Sequence, residues 1–517
     1  MAQLRRRGRR QRLGDARHAE LRQGRAVAVR AGRPRRVGGA FPERPGRGRQ
    51  VVSQGPGDPA AVGGAEPAVD SPEAALAVAE EVLERALRGG ATEAEVLLTA
   101  EDSALTRFAN SEIHQNVAER SLEVNLRFVV GSRVAVIGTD RIDPSGLRNL
   151  VGRAATIARS CEARPDWPGL PAPQPAPGRA PVAWAAGTAE ASPEFRAEAV
   201  REIIAEADTA GVLAFGSFST DSEIIAVASS TGIRAAARRS ASQLLTVHTS
   251  PDGGNGYAEA VAMDATTIDA RALGREAAAK ARASDNPVDL PPGDYPVVLE
   301  EYAVVDLNDM LGYVGFSALA VQEERSFFEP GKRVGSELVT IVDDATDPVG
   351  LPTGFDYEGI PKQRVTMLEA GVCRDLVYDS ATAARAGRTS TGHGLPAPNP
   401  WGPFPLNAVW SAGDASRDEL IGGLDRGLLV TRFHYTNVVH PKLAIVTGMT
   451  RDGTFLVEGG RLVGPVRNLR FTQSYVDALA AVRAGGRERR ALRGMLGATV
   501  VPALRLEAWT FTGATQH

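Results

Sequence analysis

Side chains able to ligate a metal or run acid–base chemistry are few and scattered. The chain has seven histidines, His18, His114, His248, His393, His434, His440 and His517. None belongs to a His-Glu-x-x-His or similar pair, the spacing that sets two imidazoles on one helix face around a zinc ion. His434 and His440 share a strand face, but at about 3.3 Å per residue their Cα atoms lie roughly 20 Å apart in an extended chain. The two cysteines, Cys161 and Cys373, make neither a disulfide framework nor a four-thiolate zinc site. Cys373 sits in Glu369–Asp375, read as a turn between strands, with no base beside it to make it a nucleophile. Asp343, Asp344 and Asp347 are grouped as if for a hard cation, yet they follow a strand pattern and read better as a solvated turn. Gly331-Lys332-Arg333 lacks the glycine spacing of a phosphate loop, and no Gly-x-Ser-x-Gly elbow is present. By residue chemistry alone no active site is assembled: no catalytic residue and no metal ligand is assigned.

The elements that would have to position such residues are legible. Ser71-Pro72 opens an amphipathic helix that Gly89-Gly90 stops, and Asp143-Pro144 caps a second that reaches about Ser160. Between them Leu122, Val124, Leu126, Phe128 and Val130 alternate with polar residues, and Gly131-Ser132 turns into a return strand. Ser192-Pro193 starts a third helix, short strands are expected between about 212 and 262, and an alanine-rich helix covers 270–283. The later chain is strand-rich: 428–435, 443–447, a turn at Asp452-Gly453, another at Gly459-Gly460, and a closing strand at 504–511. The fold class is α+β. An N-terminal α/β sandwich-like domain with an antiparallel sheet (71–290, with a Pro-rich connector at 162–191) precedes a mostly antiparallel β domain (291–517).

Composition sets further bounds. With 517 residues and 43% hydrophobic content the chain can fill two or three cores. No segment reaches the ~18 to 20 apolar residues of a membrane helix, and no secretory leader is seen, so the expected compartment is the cytoplasm. The net charge of -3 conceals an asymmetry. Residues 1–50 carry 16 Arg, no Lys and 3 acids, which leaves the remainder at -16. The segment 1–70 is expected to be disordered and fits an upstream start codon better than a nucleic-acid arm; the acidic remainder disfavours nucleic acid as a partner.

Three strings then carry a resemblance: Thr436–Glu458, Gly464–Phe471 and Leu105–Gln115 with its following hairpin. They are long and idiosyncratic, and they resemble the TldD/PmbA family over about residues 72–517. That resemblance implies a zinc metalloprotease system in which a TldD-type subunit pairs with a TldE/PmbA-type subunit. The TldD type carries a His-Glu-x-x-x-His helix and a late cysteine ligand. Here the matching helix, Val304–Ala320, holds no histidine, and 490–501 holds no cysteine. The chain therefore resembles the TldE/PmbA-like subunit, itself non-catalytic, with no cofactor of its own and zinc expected on the TldD-like partner. Its expected role is to complete a cavity for peptide substrate, and Phe433, His434, Tyr435 and Asn437 are the candidate wall residues of the peptide channel. The alternative is a self-sufficient metallopeptidase using non-standard ligands such as His393, His434 or His440 with an aspartate.

Overall fold

Proline placement and capping explain the helices of the first half. In the computed structural model, which describes residues 69–514, α1 (Pro72–Arg88) begins at Ser71, whose Oγ accepts from the Ala74 N–H at 3.1 Å. Its stripe of Ala75, Val78, Ala79, Val82, Leu83 and Ala86 is buried. Three strands follow, β1 (Glu93–Ala109), β2 (Glu112–Val130) and β3 (Arg133–Thr139), then α2 (Pro144–Ser160), capped by Asp143. After the connector come α3 (Ala186–Ala189), α4 (Pro193–Ala210), β4 (Leu213–Ser229), β5 (Arg234–Thr249), β6 (Asn255–Ala262) and α5 (Ala270–Ala283). The six strands form one antiparallel sheet in the order β3-β2-β1-β4-β5-β6. The Arg-rich expectation for 1–70 lies almost wholly outside the described residues.

The strands expected to be short between 212 and 262 are instead 17, 16 and 8 residues long. Ser217, Ser219, Ser222, Ser240 and Ser242 interrupt the apolar alternation on which that reading depended. What holds these residues in strands is continuous pairing on both sides, β4 with β1 from Phe108↔Gly216 to Glu95↔Ser229 and with β5 along its length.

The second half contains β7 (Gly293–Leu299), α6 (Glu301–Leu311), a π turn at Gly312–Phe316, α7 (Ala318–Gln322), β8 (Ile341–Asp343), β9 (Val365–Glu369), β10 (Val372–Cys373) and α8 (Ser380–Arg385). It continues with β11 (Ala408–Trp410), α9 (Arg417–Gly422), β12 (Arg426–His440), β13 (Ile445–Glu458), β14 (Arg461–Pro465), β15 (Leu469–Ser474), α10 (Tyr475–Ala480), β16 (Val482–Arg493) and β17 (Ala498–Ala514). The strand path β17-β15-β13-β12-β7 returns to β17, so five strands close into a ring. Pairing is antiparallel except for β7 with β12 and β11 with β17. The core around α6 and the ring holds Trp509, Phe433, Phe471 and Tyr475, with ring centroids 4.8 to 5.7 Å from Trp509.

Asp452-Gly453 is not a turn between strands. β13 runs through it, and the register passes from Val430↔Thr454 to Arg432↔Arg451, one extra residue on β13. The positive φ of Asp452 (55°) and Gly453 (127°), which suggested a hairpin in the sequence, makes a β-bulge here. Cys373 is likewise in a strand, β10, and buried. Among the described residues no helix is long and apolar enough to cross a membrane.

The two halves meet over a buried ionic contact. Arg127 on β2 lies 3.3 Å from Glu95 on β1 and 3.8 Å from Glu358, which comes from the second half. Burial raises the Glu95 carboxyl to about 7, with Arg127 opposing and Glu358 reinforcing. A raised carboxyl means that the folded chain holds a proton the unfolded chain has released, in the window from the ordinary carboxylate range up to about 7. Stability is therefore expected to fall as pH rises through that window, by up to about 1.4 kcal/mol per pH unit. Urea titrations of the chain and of Glu95→Gln at pH 5, 6 and 7.5 check this; the variant should show a shallower slope, reduced by the Glu95 share.

Candidate functional site

α6 is the element to follow, because two acids three residues apart, Asp306 and Asp309, interrupt its largely apolar, buried course. Asp306 and Asp309 share one helix face with Val305. That face borders a cavity of about 180 Å³, lined also by Tyr257 and Glu259 from β6, Tyr302 from α6, Arg432 and Phe433 from β12, and Leu492 and Arg493 from β16. The site thus lies where the last strand of the first sheet meets the ring.

Each polar wall residue is held from behind. Asp306 accepts from Thr436 Oγ1 and from the Tyr475 hydroxyl, both at 2.6 Å. Asp309 accepts from the Met495 N–H at 2.6 Å. Glu259 accepts from the Tyr257 hydroxyl at 2.7 Å, Gln243 Nε2 at 2.8 Å and the Arg493 N–H at 3.1 Å. Arg432 donates to Asp452 at 2.6 Å, and its guanidinium lies 4.5 Å from the centre of the Tyr257 ring. The bulge at Asp452-Gly453 is what turns that carboxylate toward Arg432. Burial pushes Asp306 up to about 6 in spite of its two hydroxyl donors. Burial also pushes Asp309 up to about 8, opposed by Met495 and reinforced by Asp306.

A second ionic group backs the cavity. Lys280 Nζ is 2.8 Å from Glu276 and 2.6 Å from Glu300, and lies 4.9 Å from the Tyr302 ring centre. Arg490 donates to Glu276 at 2.9 Å and to the Tyr302 hydroxyl at 2.7 Å. Tyr302 is therefore clamped between two cations and a carboxylate, with its ring edge-on to Tyr257 at 5.1 Å. The wall is preset.

Of the four wall residues read from the sequence, only Phe433 lines this cavity, packed against Phe471 at 4.7 Å. His434 is half-buried with its ring against Tyr435 at 5.4 Å. Tyr435 is 74% exposed, and Asn437 is exposed with its Nδ2 donating to the Tyr435 carbonyl at 3.0 Å. A bulge explains the divergence. Tyr435 takes φ 58°, and the register moves from His434↔Met449 to Asn437↔Thr447, which adds a residue on β12 and turns Thr436 inward to Asp306. The cavity's other polar residues were not singled out from the sequence. The Asp306/Asp309 spacing on an apolar helix was an available signal, whereas Tyr257 and Glu259 come from another sheet.

The histidines considered as non-standard ligands do not converge. His393 is fully buried, its Nε2 2.9 Å from Asp343 and its Nδ1 2.9 Å from Thr391 Oγ1. His440 Nδ1 accepts from the Leu443 N–H at 3.3 Å in an exposed hairpin end. Among the described residues no three or more His, Cys, Asp or Glu are grouped to hold a metal ion. The α6 cavity offers oxygens already engaged by hydroxyl and amide donors, and neither imidazole nor thiolate, so its donor set does not fit a tetrahedral zinc ion.

Comparison with known proteins places this architecture. Residues 292–513 match the PmbA/TldA metallopeptidase C-terminal domain and residues 94–158 match PmbA/TldA metallopeptidase domain 1, together more than half of the chain. A metalloprotease TldD homolog of Buchnera aphidicola is 26% identical over 211 residues, 39% of this chain and 43% of that protein. The Haemophilus influenzae TldD homolog is 28% identical over 217 residues, 40% of this chain and 44% of that protein. The matched region thus spans less than half the length of these relatives. The crystal structure of TldE from Thermococcus kodakarensis superposes with a TM-score of 0.78 at 19% identity, covering 84% of this chain and 100% of that one. A Thermotoga maritima structure follows at TM-score 0.75 and 19% identity, covering 84% and 99%. Both domain models and the shared α+β architecture agree: the chain belongs to the PmbA/TldD family.

Proposed function

We propose that this chain is the TldE/PmbA-like, non-catalytic subunit of a TldD/PmbA-type metalloprotease, paired with a zinc-bearing TldD-like subunit for proteolysis or maturation of peptides. The observation that carries it is the chemistry of α6. By the family resemblance this helix corresponds to the one that grips the metal in the TldD type. Here it presents Asp306 and Asp309, held by Thr436, Tyr475 and Met495, around a preset cavity. A pocket with its walls braced but no nitrogen or sulfur ligands suits substrate binding better than bond cleavage. On this reading the partner supplies the Lewis acid, and this chain supplies a wall and strand edges along which an extended peptide pairs.

Co-expression with a TldD-like protein from the same genome tests the pairing. The expected result is a stable complex with about one zinc per pair, peptidase activity in the complex, and neither zinc nor activity in this chain alone. Stoichiometric zinc and peptide cleavage by this chain alone would establish the self-sufficient alternative.

A further inference from the structure

We propose that the α6 cavity is a subsite for one cationic side chain, a lysine ammonium or arginine guanidinium, of a peptide lying across β12. This deepens the preceding reading and rests only on its peptide-binding part.

Size comes first. At about 180 Å³ the cavity has room for the end of one long side chain. Its walls are the second point. Tyr257, Tyr302 and Phe433 supply ring surface, Val305 and Leu492 supply apolar contact for a methylene stem, and Glu259, Asp306 and Asp309 supply acceptors. The third point is charge. Two guanidiniums, Arg432 and Arg493, face three carboxyls, and Arg432 is already paired with Asp452 outside the lining. Within the lining itself three carboxyls are set against two guanidiniums, so once all three are ionised one more cation brings the pocket to neutrality.

The wall shows how such a cation would sit. The Arg432 guanidinium lies 4.5 Å from the centre of the Tyr257 ring while it donates to Asp452, a cation held between ring and acid at the wall. An incoming cation would find its carboxylate partner in Asp309, beside the aromatic wall. In the empty pocket the buried Asp309 stays protonated at neutral pH, since it is raised to about 8. A cation beside it favours its ionised form, so binding is coupled to release of a proton.

The experiment uses the full chain, without a partner, and three capped pentapeptides that differ only at the centre: Ala-Ala-X-Ala-Ala with X as lysine, norleucine or glutamate. Titration calorimetry at about 0.15 M salt suppresses loose attraction to an acidic surface. The lysine peptide is expected to bind on the order of tenfold tighter than the norleucine peptide, the worth of one charge-assisted contact, and the glutamate peptide weakest. At pH 7 the apparent heat should differ between buffers of unlike ionisation enthalpy, reporting a released proton. Asp309→Asn should bring lysine and norleucine within about twofold while thermal unfolding confirms the fold. Equal affinities, no binding of any of the peptides, lysine preference without proton release, or preference that survives in both Asp306→Asn and Asp309→Asn would each overturn the proposal. The buffer comparison needs no variant, so a misfolded mutant does not shelter the idea. Lysine preference in a chain that never pairs with a TldD-like subunit would leave this subsite standing and remove the pairing.

Discussion

Asp343→Leu is expected to destabilise the chain by about 3–5 kcal/mol and to do so through charge, not volume. Asp343 and His393 are fully buried, and the side chain of Lys362 is 2% exposed. One carboxylate oxygen lies 3.0 Å from Lys362 Nζ and 2.9 Å from His393 Nε2, and the other accepts from the Asn407 N–H at 2.9 Å. Burial pushes the carboxyl upward, but Lys362 and His393 together hold it well below the usual carboxylate range. Removing it strands an ammonium with no counter-charge. A carboxyl held low contributes stability above its unfolded value and loses it as pH falls through its folded value, so this contact fails only in strong acid. The check is chemical denaturation at pH 7. The pair Asp343→Leu with Lys362→Met should recover much of the loss, because two apolar groups of similar shape leave no stranded charge.

Trp509→Ala is the second large effect, about 3–5 kcal/mol from the cavity and the lost ring contacts. Trp509 is fully buried on β17, stacked on Phe433 at 4.8 Å with an interplanar angle of 20°, and met by Phe471 and Tyr475 at 5.2 and 5.7 Å. The consequence extends to the proposed site. Phe433 lines the α6 cavity, and the Tyr475 hydroxyl holds Asp306. Calorimetric unfolding should show the stability loss, and a substrate-binding assay should show weaker affinity even where the variant remains folded. Trp509→Phe should recover most of both.

The cavity was harder to read than the frame. Helices with proline at their first turns and an apolar stripe were found at nearly their observed bounds, because caps and spacing are local: Ser71-Pro72, Asp143-Pro144 and Ser192-Pro193 each start a helix. Strand ends failed where pairing decided matters. Asp452-Gly453 has the chemistry of a hairpin turn and became a bulge, since β12 continues alongside and the chain gains more from keeping the ladder than from reversing. Three of the four wall residues lie off this cavity for a related reason. A strand edge rich in aromatics and amides pointed to Phe433, His434, Tyr435 and Asn437, but the left-handed Tyr435 resets the strand and sends Thr436 inward. Glu259 and Asp309 come together only through the contact of the first sheet with the ring, and no local pattern encodes that. Asp343 was mistaken for a solvated turn residue because its partners, Lys362 and His393, lie about 20 and 50 residues onward.

The ring closes by pairing β7 with β17, Leu299 beside Leu504 and Gly293 beside Phe511. Roughly 200 residues of chain separate these two strands, so during synthesis β7 emerges long before its neighbour exists. At about 5–20 residues per second that is a wait of about 10–40 s with one edge unfilled. The first sheet, whose neighbours are mostly consecutive in sequence, can assemble in that interval, whereas the second half must be finished before it can seal. Newly made chains are accordingly most exposed to chaperones and to strand-swapping with one another just before β17 arrives.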